Sequence, residues 1–505
     1  MTLPDRRPAE PAIALGNPAR FAAVRALARE AGYEEGEVLR RCEVPAMHAF
    51  RALRDGRTAA AALDDPFDAL LRLFLDEEPL PWPTVRALLG DRGADDLRAL
   101  GLLDDAPEAP GEARGTVLLY PTHGLLLASD RTRWGDGPPP DDVVYPAITT
   151  STAHFVGMLP DDPAGDLLEL CAGTGIAALL GARAGARAWA TDVTERAAHF
   201  ARFNARLNGL DVAVSRGDLW EAVGDRVFDR VVAHPPYVAG GEVRVAFRDG
   251  GEDGEQVTRG IVRGLPAHLR SGGALHCTCA VTDRAGRPFE WRLRDWLGEA
   301  HDEFDVFFFP STAHDPRSYF LERAIGGHDA WETLERRCAL FAELGVERVA
   351  YGSFVVRRRP ADAAGALLTL RRRATPAADA RAAERLIADE TRLAALAASP
   401  GGERRLLERP LAAGPTVTFA LTHARDADGA WRPVACHVRV ADGFVVDADV
   451  APWIADLLAR ADGSRPLADV VRELRDEGLA PPELDPDELA ALVRQLTGAG
   501  ILREP

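Results

Sequence analysis

The stretch 166-DLLELCAGTGIAALLGARAGARAWATDV-193 decides the fold. An apolar run that ends at Glu169 has the composition of a buried strand. Cys-Ala-Gly-Thr-Gly follows, then a run with helical spacing. Gly173 and Gly175 permit a tight turn and let a ligand approach the backbone. A second strand ends in Asp192, and a carboxylate at that place can accept both hydroxyls of a ribose. A third strand, "DVAVSRGD", ends at Asp218. A fourth, "FDRVVAHPP", runs into His234-Pro235-Pro236-Tyr237. Proline fixes φ and restricts the residue before it, so His234 and Tyr237 are held on a stiff elbow.

Outward from this core, strand and helix patterns alternate from 143 to 359, which predicts a parallel α/β sheet covered on both faces. "DEFDVFFFP" and "ERVAYGSFVVRRR" read as a last strand pair, joined by a helical insertion near 317–345. Residues 1–135 read as helices closed by a hairpin, "GTVLLYPTHGLLLASD", a helical, winged-helix-like domain. The acidic "LDEEP" and "GLLDDAPE" favour its use as a cover for a neighbouring domain over nucleic-acid binding. "GDGPPPDD" (135–142) reads as a linker. Residues 360–505 read as a third, α+β domain with a winged-helix-like end, in which Ser464 caps a helix followed by Pro466. The clustered hydroxyls Thr149 to Thr152, ahead of the first strand, read as a helix cap or as a carboxylate-binding cluster.

Bulk numbers bound the class. A chain of 505 residues with 47% hydrophobic and 27% charged residues is ordinary for a multidomain globular protein. The net charge is −18, and every positive charge is arginine. No basic stripe of the kind that binds duplex is evident, so nucleic acid is not favoured as a partner. No membrane-spanning run and no signal segment is evident, which gives a cytoplasmic expectation without a membrane partner. Six scattered cysteines are not a disulfide framework. "HCTC" (276–279) is explained better by strand alternation than by metal binding, so no metal is expected.

The ordered set of glycine turn, Asp192, Asp218 and His-Pro-Pro-Tyr resembles the class I methyltransferases that use S-adenosylmethionine, with a Rossmann-like, mostly parallel seven-stranded sheet. "ELCAGTG" is similar to their first motif, and "HPPY" to the Asn/Asp-Pro-Pro-Tyr motif of their amino-methylating branch. Within the class the chain looks like the "methyltransferase small" group of protein-glutamine (release-factor) type. "FRDGGEDGEQVTRGIVRGLPAHLRSGGAL" is similar to that group's Gly-Gly-x-Asp-Gly segment and following helix. Residues 60–240 also resemble longer actinobacterial-type methyltransferases with a helical N-terminal domain. The resemblance implies that Glu169 sits near the methionine amino end of the cofactor and that Cys171, Gly173 and Gly175 form the turn. It also implies that Asp192 holds the ribose, that Asp218 and Leu219 hold the adenine, and that His234, Pro235, Pro236 and Tyr237 meet the acceptor.

Two residues depart from the family pattern. Cys171 replaces its first glycine and is read as packing. His234 replaces Asn or Asp; it can accept one hydrogen bond, or take a proton as a base. The acceptor expected is therefore a nitrogen or oxygen nucleophile of a small molecule or a protein side chain. An RNA or DNA amino-methyltransferase and a catalytically inactive cofactor-binding regulatory or assembly protein are the alternatives. A dinucleotide oxidoreductase usually shows G-x-G-x-x-G at the first turn, from which Cys171, Ile176 and Ala178 depart.

Overall fold

The computed structural model describes residues 13–54, 63–133, 140–163, 165–239, 246–325 and 331–504. The first twelve residues and most of the expected linker, 135–139, lie outside them. The chain divides into two compact units, Met1–Val281 with Pro316–Val346, and Thr282–Asp315 with Glu347–Pro505.

In the first unit, five strands are parallel: β1 (Asp166–Leu170), β2 (Arg187–Asp192), β3 (Val212–Arg216), β4 (Phe228–Ala233) and β5 (Leu269–Arg284). Their order is β5-β4-β1-β2-β3. From β1 the chain winds outward to β2 and β3, then returns to lay β4 on the other side of β1. In a doubly wound sheet the crevice beyond the strand ends at that reversal is where ligands bind. Helices α1 (Thr150–Gly157), α2 (Ile176–Arg183), α3 (Glu195–Asn208) and α4 (Gln256–His268) complete the core. The hydroxyl cluster caps as expected, for Thr149 Oγ1 accepts the Thr152 N–H at the start of α1.

The N-terminal region is helical, beginning with Pro18–Glu30, whose Asn17 cap and first-turn proline fix its start. Its hairpin pairs Leu118–Thr122 with Leu125–Ser129 around His123-Gly124, both with positive φ. All ten strand residues are buried. This hairpin lies on α3, where Asn204 and Asn208 bond to the Ala128 and Leu126 backbone. Phe21 of the first helix meets Phe203 of α3 edge to face at 5.1 Å.

In the second unit, Phe304–His314 and Val346–Arg358 pair antiparallel, as the sequence predicts for a last strand pair, and Thr369–Arg371 adds in parallel to the former. The insertion that joins the pair belongs to the first unit and carries helices at Pro316–Ile325 and Leu334–Glu343. Further on, helix Ala380–Ala397 precedes a sheet that includes Thr418–Arg425, Trp431–Asp442 and Phe444–Val450. Helices Trp453–Arg460, Leu467–Asp476 and Pro486–Gly498 share an apolar core with it. Ser464 does not cap a helix. Residues Asp462–Pro466 form a strand paired with Pro410–Ala413, so Pro466 itself occupies the cap position and Ser464 Oγ donates to Asp462.

Candidate active site

The crevice at the reversal is a cavity of about 1060 Å³. Every residue singled out in the sequence except Gly175 lines it: Glu169, Cys171, Gly173, Asp192, Asp218, Leu219 and His234 through Tyr237. Gly175 lies in the turn at φ +79°, but a Cβ there would come 3.2 Å from Ala201 Cβ. Its smallness lets α2 pack against α3. Gly173 has φ +53°, and a Cβ would meet no atom within 4 Å, so backbone conformation alone calls for glycine.

Cys171 adopts φ +55°, the left-handed region that disfavours a side chain. Burial, with nearby Asp192, pushes its thiol well up, so it is no thiolate nucleophile at neutral pH. Glu169 is buried beneath the start of α2 and accepts from Ala177 N (3.2 Å) and Ala178 N (2.8 Å). Those bonds favour the anion, yet burial outweighs them and pushes the carboxyl up to about 8. Asp192 braces the turn. Its Oδ2 accepts from Gly173 N and its Oδ1 from Thr194 N, each at 3.0 Å. Burial raises its pKa as well. Asp218 is exposed at the cavity edge, and Leu219 beside it is held at φ +48°. A Cβ on Gly260 of α4 would lie 2.7 Å from Leu219 Cδ1, so that glycine makes room for it.

On the opposite wall, His234 stacks between Phe155 (centroids 5.3 Å) and Tyr237 (6.1 Å). Among the described residues its buried Nε2 has no hydrogen-bond partner. Burial, reinforced by His154, lowers its pKa to about 4, so the ring is neutral at pH 7. Burial pushes the Tyr237 phenol up to about 12, and its side chain bonds to Ser151. The elbow is gripped by the glycine-rich loop after it. Val238 N donates to Arg248 O and Gly250 N to Val238 O, both at 2.9 Å. A Cβ on Gly254 would lie 2.6 Å from Tyr237 O. Sequence reading missed two contributors. Phe155 was hidden among the hydroxyls of 145–155, and Arg323 comes from the insertion helix, with no local signal in its neighbourhood.

The residues present suit S-adenosylmethionine: a glycine turn, a strand-end carboxylate, a buried carboxyl and an unpartnered acceptor face one cavity. Strand order, turn and cavity are those expected of a class I methyltransferase domain. Residues 146–287 match the family described as the methyltransferase small domain. The ribosomal protein uL3 glutamine methyltransferase of Bradyrhizobium diazoefficiens is 37% identical over 189 residues, covering 32% of this chain and 58% of that one. The release factor glutamine methyltransferase of Gloeobacter violaceus is 33% identical over 124 residues, covering 22% and 43%. The chain thus spans about half the length of the curated relatives it matches. A solved methyltransferase from Pyrococcus furiosus aligns over 42% of this chain and 84% of its own, at 16% identity and TM-score 0.27. The central domain is therefore similar to the S-adenosylmethionine-dependent methyltransferases of the protein-glutamine type. Among the described residues no helix is long and apolar enough to cross a membrane.

Proposed function

We propose that this protein transfers the methyl group of S-adenosylmethionine to the side-chain amide nitrogen of a glutamine in a protein. The observation that carries this reading is the unpartnered, neutral Nε2 of His234 at the cavity wall, next to Pro235. A primary amide brings two N–H donors. In the tautomer protonated at Nδ1, His234 Nε2 offers a lone pair to one of them, and the Pro235 carbonyl is the acceptor for the other. Two such bonds fix the plane of the amide, and positioning of this kind supplies much of the rate in a direct displacement, in which the amide nitrogen takes the methyl as the sulfur–carbon bond breaks and then gives up one N–H proton to water. The bound cofactor supplies an electrophilic methyl group on sulfur. Asp192 holds the ribose, Glu169 lies toward the methionine end, and Asp218 with Leu219 flanks the adenine. Tyr237 and Phe155 keep the imidazole from turning away.

Both relatives are named for glutamine methylation of translation proteins, which supports a protein acceptor. The small-molecule acceptor allowed by the sequence finds no such support. The hairpin-bearing N-terminal region and the helices of 453–498 are read as winged-helix-like modules around this core. Incubating the protein with donor and with recombinant uL3 or release factor, then mapping methylated residues by tandem mass spectrometry, tests the proposal. Methyl on a glutamine side chain supports it; methyl confined to RNA overturns it.

A further inference from the structure

We propose that the N-terminal hairpin positions the cofactor cavity, with Tyr120, Asp130 and Asn204 controlling donor affinity without touching the donor. This rests on the cofactor reading above. Two walls of the cavity are irregular chain, the glycine turn 171–175 and the segment 142–149. Irregular backbone has no ladder to hold it, so its shape depends on what its N–H and C=O groups meet. Both walls are tied to the same hairpin.

On the first wall, Asn204 of α3 donates to Thr174 O and to Ala128 O, each at 3.0 Å, and accepts from Ala128 N at 2.8 Å. One amide thereby links the glycine turn to a hairpin strand. On the second wall, Asp130, just past that strand, accepts from Val144 N at 2.8 Å and donates its own N–H to Val144 O at 3.1 Å. Three residues on, Ala147 N donates to Tyr120 Oη at 2.7 Å. Val144 and Ala147 both line the cavity. Arg196 of α3 completes the clamp, donating from Nε to Asp130 Oδ2 at 2.6 Å and from Nη2 to Oδ1. Tyr120 and Asn204 are wholly buried and Asp130 nearly so. A hairpin that only covered α3 would need apolar side chains there. Buried polar groups aimed at two functional walls are costly unless every bond is made, and made they hold one geometry. None of the three side chains lines the cavity, so they are positioning residues.

The test compares the Kd of S-adenosylhomocysteine, by calorimetry well below the melting range, for the full-length wild type, Tyr120→Phe, Asp130→Asn, Asp130→Ala and Leu127→Ala. Leu127 is buried in the hairpin opposite Tyr120, and its apolar side chain can form no hydrogen bond to either wall, so its truncation should lower Tm and leave Kd alone. Tyr120→Phe, which deletes one oxygen, should raise Kd about three- to tenfold. Asp130→Ala should raise it further. Asp130→Asn, which can still accept from Val144, should fall between wild type and Asp130→Ala. Wild-type Kd in Tyr120→Phe overturns the proposal even if Asp130→Ala fails to fold. So does a rise in Leu127→Ala as large as in Tyr120→Phe, which would mark general loosening. A wild type that does not bind at all removes the cofactor reading, and this proposal with it.

Discussion

Replacing His234 by asparagine separates a hydrogen-bond acceptor from a base. Burial holds the imidazole near pKa 4, against 6.5 for the free group. At pH 7 about one molecule in a thousand is then protonated. So weak a base gains little by taking a proton from the acceptor at neutral pH, whereas accepting a hydrogen bond needs no proton uptake. Turnover should therefore be flat between about pH 6 and 8, and should fall as pH drops toward 4, where protonation turns Nε2 into a donor. His234→Asn should keep donor affinity, stay within about tenfold of wild-type turnover and lose that acid limb. The same depression reaches stability. Between pH 4 and 6.5 the unfolded chain binds more protons, so stability rises with pH in that window. It is lost as pH falls through it, by at most about 3.5 kcal/mol at ~1.4 kcal/mol per pH unit. Initial rates at saturating labelled donor across this range decide the matter. An ionisation near neutrality in wild type, abolished in His234→Asn together with a loss of roughly 10²–10⁴ in turnover, would refute the hydrogen-bond role and establish a base.

Three further outcomes follow from the cavity. Asp192→Ala removes the acceptor for Gly173 N and Thr194 N as well as the proposed ribose contact, so the Kd of S-adenosylhomocysteine should rise tenfold or more by calorimetry; equal affinity contradicts the assignment. Glu169, pushed up to about 8, is protonated at pH 7 and must ionise to meet a cationic amino group. Donor binding should then release a proton at pH 7 and tighten toward pH 8, seen as a binding heat that depends on the ionisation heat of the buffer; a buffer-independent heat counts against it. Cys171→Gly relieves a side chain at φ +55° and should stabilise the fold by up to about 1 kcal/mol in chemical denaturation, partly offset by glycine's unfolded-state entropy; a clear loss of stability would mean that the thiol's packing matters more than its backbone.

The core was legible because its signals are local. Gly173 and Gly175 announce positive φ, Asp192 closes an apolar strand, and two prolines stiffen the elbow after β4. The Thr149 cap was equally local. What failed or stayed hidden depends on distant partners. Ser464 looked like a cap because a helix follows, but pairing with Pro410–Ala413 makes its neighbourhood a strand. The hairpin's unbroken apolar runs, "LLYPT" and "LLLAS", fit strands covered on both faces, yet nothing in them reveals that α3 lies on one side. Arg323 reaches the cavity from a helix inserted more than eighty residues after His234, and no spacing rule connects the two. The low pKa of His234 follows from burial against Phe155, which only the fold creates.

The measurement closest to the central claim is acceptor identification. Full-length wild type and Asp192→Ala, each with methyl-labelled S-adenosylmethionine, are incubated with purified uL3, release factor, ribosomal RNA and a small-molecule extract, and every fraction is digested and analysed. The account predicts label in protein from the wild-type reaction alone, on a glutamine side-chain nitrogen. Label in RNA or small molecules with none on glutamine, or label on a protein carboxylate or hydroxyl, would contradict it.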